Sequence, residues 1–291
     1  MSETIARMLG ADFAWPLWDQ AAVDEPFILA DAAAPAADIV LRAVARPVCF
    51  GFAPQRANGG AVLICAGGGY TQLVIGKEGV EIARWLAGLG YHAVVLAHRL
   101  PTAESGAQAP VDDAMEAMRL IRTRGREMGI ARVGALGLSS GGHLAASLVA
   151  VYPDGWRAPA SAHARFASRP DFLVVGYAPI STNAAGRTVV AGKAPLTPPE
   201  KQALYDALQP DVQLAPDPPP AFIFYAANDR VVPVENGRRL HAAFEARGAS
   251  AELHIFADAP HGFALRTPEL PAGKWPALCE AWLRQIGALA R

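Results

Sequence analysis

Cysteine is scarce in this chain: Cys49, Cys65 and Cys279 are the only three in 291 residues. An odd, scattered set of thiols cannot build a disulfide framework, and no CxxC pair is present to hold a metal, so a reducing, cytoplasmic compartment is expected. Excess charge of either sign is also missing, since 26 basic residues face 27 acidic ones for a formal net charge of -1. Such a surface has no overall field with which to draw nucleic acid or an anionic membrane. No uncharged apolar run reaches the ~20 residues that a membrane-spanning helix needs. The opening "MSETIARMLGADFAWPLWDQ" has no basic cluster followed by a continuous apolar stretch, so it does not read as a secretory signal. Lysine is nearly as rare as cysteine, with only Lys77, Lys193, Lys201 and Lys274. The partner these absences leave is a small molecule.

What the chain has in quantity is apolar residues, 52% against 18% charged, enough for a large core in one domain spanning residues 1–291. Apolar runs of strand length recur at 61–67, 92–98, 132–138, 172–179, 221–226 and 252–256. Between them lie segments with helical spacing, such as "EGVEIARWLAGLG", "VDDAMEAMRLIRTRGREMG", "SGGHLAASLVAVY" and "ENGRRLHAAFEARG". This alternation calls for an α/β fold: a mostly parallel central sheet with crossover helices on both faces. Earlier, "ADIVLRAV" and "RPVCFGF" have no helix between them, and an antiparallel hairpin at the sheet edge is expected there. Residues 181–220 break the rhythm with many prolines and one helical candidate, "PEKQALYDAL". They form either a long surface connection or a small cap over the carboxyl ends of the strands, where open α/β sheets take ligands.

The chemistry concentrates at three strand ends. Gly137-Leu138-Ser139-Ser140-Gly141 matches G-x-S-x-G where a strand turns into a helix, which makes Ser139 the candidate nucleophile. A serine helix cap in a small-residue turn is the plainer alternative. In "CAGGGY", after another strand, three glycines leave backbone N–H groups unshielded. Neither the G-x-G-x-x-G pattern nor the lysine of a phosphate loop accompanies them, so Gly68 and Gly69, with the N–H of Ser140, are expected to receive an oxyanion.

A serine hydroxyl needs a base, and the base needs an orienting acid. Of seven histidines, His261 lies in a loop just beyond the strand "ELHIF" and can project over the sheet edge. His143 is close to Ser139 but belongs to the following helix, as a packed structural residue. Asp229 follows the strand "AFIFYA" at the same edge, whereas its rival Asp258 is only three residues from His261 in one loop. The order Ser139, Asp229, His261 is that of α/β hydrolases.

Taken in order, "AVLICAGGGY", "KEGVEIARWLAGLGYHAVVLAHRLP", "GLSSGGHLAASL", "PAFIFYAANDRVVPVENGRRLHAAFEARGASAELHIF" and "HGFAL" resemble α/β-hydrolase esterases of the acetylxylan-esterase-like and hormone-sensitive-lipase-like group. The resemblance implies a serine esterase with Ser139, Asp229 and His261 as its triad, Gly68, Gly69 and Ser140 as oxyanion donors, and no cofactor or metal. The chain departs from that group at Ala66, where proline is expected, at Ser140, where alanine is common, and at His98, where an aromatic such as tyrosine is usual. Tyr70 and Phe263 are expected to narrow an acyl pocket, with His98, Arg99 and Arg230 offering polar contacts to a hydroxylated alcohol. Large apolar residues are too sparse in 181–220 for a lipase lid, so short-acyl esters, including acetylated carbohydrates, are the expected substrates. A serine peptidase of the prolyl-oligopeptidase type shares the triad, but its large gating domain finds no room in 291 residues. A receptor that has lost turnover on the same scaffold is the third reading, and an intact triad argues against it.

Overall fold

The computed structural model describes residues 2–19 and 26–290. The first elements are α1 (Ser2–Leu9), β1 (Phe13–Pro16), β2 (Phe27–Leu29), β3 (Leu41–Val44) and β4 (Val48–Phe52). Then strands and helices alternate: β5 (Gly60–Cys65), α2 (Glu81–Gly88), β6 (His92–Ala97), α3 (Ala109–Gly125), β7 (Arg132–Leu138), α4 (Ser140–Ser147) and β8 (Leu173–Gly176). The chain finishes with α5 (Pro199–Ala207), β9 (Ala221–Ala226), α6 (Glu235–Ala246), β10 (Ala251–Phe256) and α7 (Trp275–Gln285).

Eight strands form one sheet in the order β1-β4-β6-β5-β7-β8-β9-β10. β1 and β4 run antiparallel to their neighbours, and the strands from β6 to β10 pair parallel. Every residue of β5, β8 and β9 is buried, as continuous apolar runs demand when both sheet faces are covered. The connection from β5 steps one way to β6, and the next steps back across β5 to β7. Right-handed crossovers in opposite directions put α2 and α3 on opposite faces. Accordingly Trp85 of α2 meets Trp275 of α7 edge to face at 5.1 Å on one side. The reversal leaves a crevice at the carboxyl ends of β5 and β7, the switch point where such sheets bind ligands.

The expected hairpin at residues 37–52 does not form. β3 pairs with β2 in a separate two-stranded sheet, while β4 lies between β1 and β6 in the main sheet. β4 is buried at all five positions and needs cover on both faces, whereas β3 buries only Leu41 and Val44. Pro47 separates them and has no N–H to give a hairpin ladder. β1 and β2 were not anticipated, because strands of four and three residues are too short to show a period.

The segment 181–220 is held at its start by Asn236 of α6, whose carboxamide oxygen accepts the N–H groups of Ser181 and Thr182 at 3.1 and 3.2 Å. Arg187 and Asp211 close it with a 2.6 Å ion pair. Its helix α5 buries Leu204 and Tyr205, and the Tyr205 ring lies 5.5 Å from Tyr70 and 4.6 Å from His143. α5 therefore rests on the loop that follows β5.

Candidate active site

Ser139 joins the end of β7 to the start of α4 with φ 52° and ψ −128°, a conformation side chains rarely adopt. Close backbone approach enforces it. A Cβ on Gly137 would stand 2.1 Å from the carbonyl oxygen of Gly141, and one on Gly141 would stand 2.0 Å from that of Cys65. The Ser139 N–H is anchored on Gly176 of β8 at 2.9 Å. Only its hydroxyl is left to point into the crevice.

That hydroxyl lies 3.0 Å from His261 Nε2, and His261 Nδ1 lies 2.7 Å from Asp229 Oδ2. A carboxylate beside Nδ1 fixes the ring proton there and leaves Nε2 as acceptor for the serine O–H. The other Asp229 oxygen accepts the N–H groups of Val231 and Val232 at 2.8 and 2.9 Å. Burial alone would raise the Asp229 pKa, but the bonds from His261 and these amides outweigh it and hold the carboxyl below its ordinary value. Asp229 is thus held as an anion beside the His261 ring. Asp258 instead takes the side-chain amide of Asn228 at the surface.

The glycine loop divides its amides. Gly67 N–H donates to Glu78 Oε2 at 2.8 Å, and Gly69 N–H donates to Ser140 Oγ at 2.9 Å. Among the described residues, the N–H groups of Gly68 and Ser140 meet no protein acceptor. Gly68 has φ 134° and Gly69 has φ 66°, which a side chain would strain. Of the three expected donors, then, two have no protein acceptor among the described residues, while Gly69 is occupied by the hydroxyl of Ser140.

The expected pocket side chains are placed differently. Tyr70 and Phe263 are each 1% exposed and turn inward. Tyr70 donates its hydroxyl to His143 Nδ1 at 3.0 Å, and Phe263 packs on Tyr177 and Phe224. Both are core supports rather than walls of an opening, because an aromatic ring beside a deeply buried strand end gains most by joining the core. His98 is buried too, edge to face with Tyr70 at 6.0 Å, and its Nδ1 lies 2.7 Å from the Arg99 carbonyl. Burial lowers its pKa, which keeps the ring neutral. Arg99 is engaged by Asp113 at 2.6 Å, and His98, 1% exposed, presents no surface to a substrate. Arg230 is exposed, next to Asp229.

Two residues at the site escape motif reading. Glu78 is 4% exposed beneath the glycine loop, and its second oxygen accepts the Tyr177 hydroxyl at 3.0 Å. Burial raises its pKa more than these hydrogen bonds lower it. Tyr177, at φ 38°, turns its ring to within 5.3 Å of the His261 ring. Glu78 stands in a turn widened to π geometry, where the N–H of Glu81 returns to Gly76 O. The signal was present: Glu78 falls three residues after Ile75 and four before Ile82, on the apolar stripe of the pattern.

A surface hollow of about 790 Å³ is lined by Asp12, Phe52, Arg56, Arg84 and Gly90. It lies at the opposite edge of the sheet from Ser139 and holds no part of the relay. No group of three His, Cys, Asp or Glu converges as metal ligands do, and no helix is long and apolar enough to cross a membrane, among the described residues.

A nucleophile elbow, a hydrogen-bonded serine–histidine–aspartate relay and a glycine loop on adjacent strands of a doubly wound sheet define an α/β hydrolase. Residues 102–287 match the sequence profile of the prolyl oligopeptidase family, and the chain belongs to that family. An acetylxylan esterase of Xylanibacter ruminicola is 29% identical over 234 residues, 77% of this chain and 44% of the relative, so the chain spans less than half of that protein. An acetyl ester-xyloside bifunctional hydrolase from Caldicellulosiruptor lactoaceticus superposes with a TM-score of 0.74 at 28% identity, covering 96% of this chain and 98% of the other. Thermogutta terrifontis esterase 2 with bound butyrate superposes with a TM-score of 0.67 at 25% identity, covering 84% and 91%.

Proposed function

We propose that the chain is a serine carboxylic-ester hydrolase that removes short acyl groups, acetylated carbohydrates being the favoured class, through a covalent acyl-enzyme. The observation that carries this reading is the continuous relay from Ser139 Oγ through His261 to Asp229, opening beside two unpaired amide N–H groups. In this mechanism His261 Nε2 takes the Ser139 proton as Oγ attacks the ester carbonyl. Asp229 steadies the resulting imidazolium, and the N–H groups of Gly68 and Ser140 receive the oxyanion, each contributing about 3 kcal/mol. His261 then hands its proton to the leaving alcohol, and the same steps with water release the acid. Residues 181–220 act as a small cap on a single domain, through the contact of α5 with the glycine loop. A reducing, cytoplasmic setting suits three thiols that are all buried and free.

The acetyl-ester activities named for the bacterial relatives support the esterase reading, and the family match favours a second one, hydrolysis of short peptides or aminoacyl esters. The test is a screen of acetylated xylo-oligosaccharides, nitrophenyl esters from acetyl to decanoyl, and peptide anilides, alongside fluorophosphonate labelling of Ser139. Preferred turnover of acetyl to butyryl esters, without activation by a triglyceride emulsion, is expected. Preference for peptide anilides replaces the esterase assignment with the second reading, and an optimum at eight or more acyl carbons refutes the short-acyl one. An unlabelled Ser139 would mean a binding protein on a hydrolase scaffold.

A further inference from the structure

Two of the four lysines in the chain, Lys77 and Lys201, lie beside the site just described, and a third, Lys193, acts on the second of them. The first, Lys77, reaches within 3.6 Å of the point where a Gly262 side chain would begin, beside His261, and the carboxyl of Glu78 lies within 3.5 Å of the same point. Its charge acts on that buried acid, lowering the Glu78 pKa against the larger effect of burial. Lys201, on α5, brings Nζ within 3.8 Å of the corresponding point on Gly69, directly over the glycine loop. No described carboxylate lies within ion-pair distance of it. The charged group that does act on it is a second cation, Lys193. Burial first, and Lys193 second, lower the Lys201 pKa, and burial lowers that of Lys193 as well.

The surroundings do not relieve this imbalance. Lys193 touches only the neutral side-chain oxygen of Asn183. Asp206, on the same helix as Lys201, spends one carboxylate oxygen on the Ala185 N–H and the Gln202 amide, at 2.7 and 2.8 Å. Asp211 is taken by Arg187. Lys193 lines a cavity of about 250 Å³ together with Asn183, Thr188, Gln202 and the small residues Ala184, Ala185 and Ala194, and Gln202 adjoins Lys201 in the chain. A half-buried ammonium without a counter-ion costs free energy, and an arriving anion recovers it.

We infer that Lys201, with Lys193 behind it, forms a carboxylate-binding subsite, so that the preferred ester carries a carboxylate in its alcohol or its acyl part. This rests on the esterase reading for its chemistry, since the bound carboxylate is held while a different, ester carbonyl lies at Ser139. The cap thereby selects substrate by charge, and a neutral acetylated sugar is a poorer substrate than an acetylated sugar acid of the same shape.

Two matched pairs separate the sources of the carboxylate: 4-acetoxybenzoate against its methyl ester for the alcohol side, and monophenyl succinate against phenyl butyrate for the acyl side. For each pair the ratio of kcat/KM, anion over neutral, is measured in the wild type, Lys201→Gln and Lys201→Arg, at low and high salt. The expected result is a ratio of at least about fivefold in one pair, weakened by salt, retained by Lys201→Arg and largely lost in Lys201→Gln. A wild-type ratio near one in both pairs, or a ratio unchanged in Lys201→Gln, overturns the subsite. Calorimetric titration of the same four compounds onto Ser139→Ala reads binding without turnover. Tighter binding of one anion than of its neutral partner upholds the subsite even if no ester is hydrolysed, and equal affinities overturn it.

Discussion

His143 makes the protein's acid stability measurable at one side chain. It is fully buried in α4, with Nε2 2.9 Å from the Leu208 carbonyl and Nδ1 3.0 Å from the Tyr70 hydroxyl. A carbonyl can only accept, so Nε2 carries the proton, and Nδ1 must be the bare acceptor of the Tyr70 O–H. A second proton has no place there, and burial lowers the pKa from the ordinary 6.5 to about 4. The sign follows from linkage: below pH 6.5 the unfolded chain binds a proton at this residue that the folded chain refuses, so stability falls as the pH falls. The loss is about 2 kcal/mol by pH 5 and about 3 kcal/mol by pH 4, at 1.36 kcal/mol per pH unit. His143→Gln keeps a donor and an acceptor but cannot titrate. Urea unfolding of both proteins from pH 7 to pH 4 is the assay, and the difference between them cancels other titrating groups such as Glu78 and Asp229. The variant is expected to be less stable at pH 7 by about 1–2 kcal/mol and to close or reverse that gap by pH 5. Parallel stability curves across this range would refute the account.

Ser139→Ala should lower kcat on nitrophenyl acetate by roughly 10⁴ to 10⁶. Ser140→Ala should cost far less, about tenfold, because it keeps the backbone donor and loses only the hydroxyl that holds Gly69; a reversed order of damage would misassign the nucleophile. Asp229→Asn is expected to reduce kcat by about 10⁴ with an unchanged melting profile, as happens when the histidine loses its orienting anion, and Asp258→Asn to change it by less than about threefold; the opposite outcome would move the acid. Gly141→Ala drives a methyl group against the Cys65 carbonyl and should destabilise the fold by more than about 3 kcal/mol in thermal unfolding, so a Tm within a degree of wild type would show that the two backbones are not held together as described.

The parts legible in the sequence were those written locally. Ser139 sits in a five-residue pattern, the glycines of 67–69 are contiguous, and β5, β7 and β9 are unbroken apolar runs that only a covered parallel sheet can bury. Asp229 and His261, which meet at 2.7 Å, could be put at one sheet edge because each follows such a run. What was hidden depends on contacts between distant segments. Nothing local says that Tyr70 turns inward, since that direction is set by His143 and Tyr205, 73 and 135 positions further on. The destination of the Gly69 amide likewise depends on a rotamer of Ser140. β3 and β4 misled because hairpin reasoning weighs loop length, while burial on both faces decided which sheet took β4.

The elbow at Ser139 is fastened from two directions, by the Gly176 carbonyl on β8 and by the close approach of Gly141 to Cys65 on β5. The strained conformation of Ser139 therefore exists only while β5, β7 and β8 are assembled. Under the proposed mechanism, covalent labelling of Ser139 becomes a census of intact central sheets: titration with a fluorophosphonate counts molecules in which three strands are in register, whatever the state of the termini. In partial denaturant, the fraction still labelled would report on the innermost strands separately from the helices, which circular dichroism follows, and a gap between the two curves would reveal which layer gives way first.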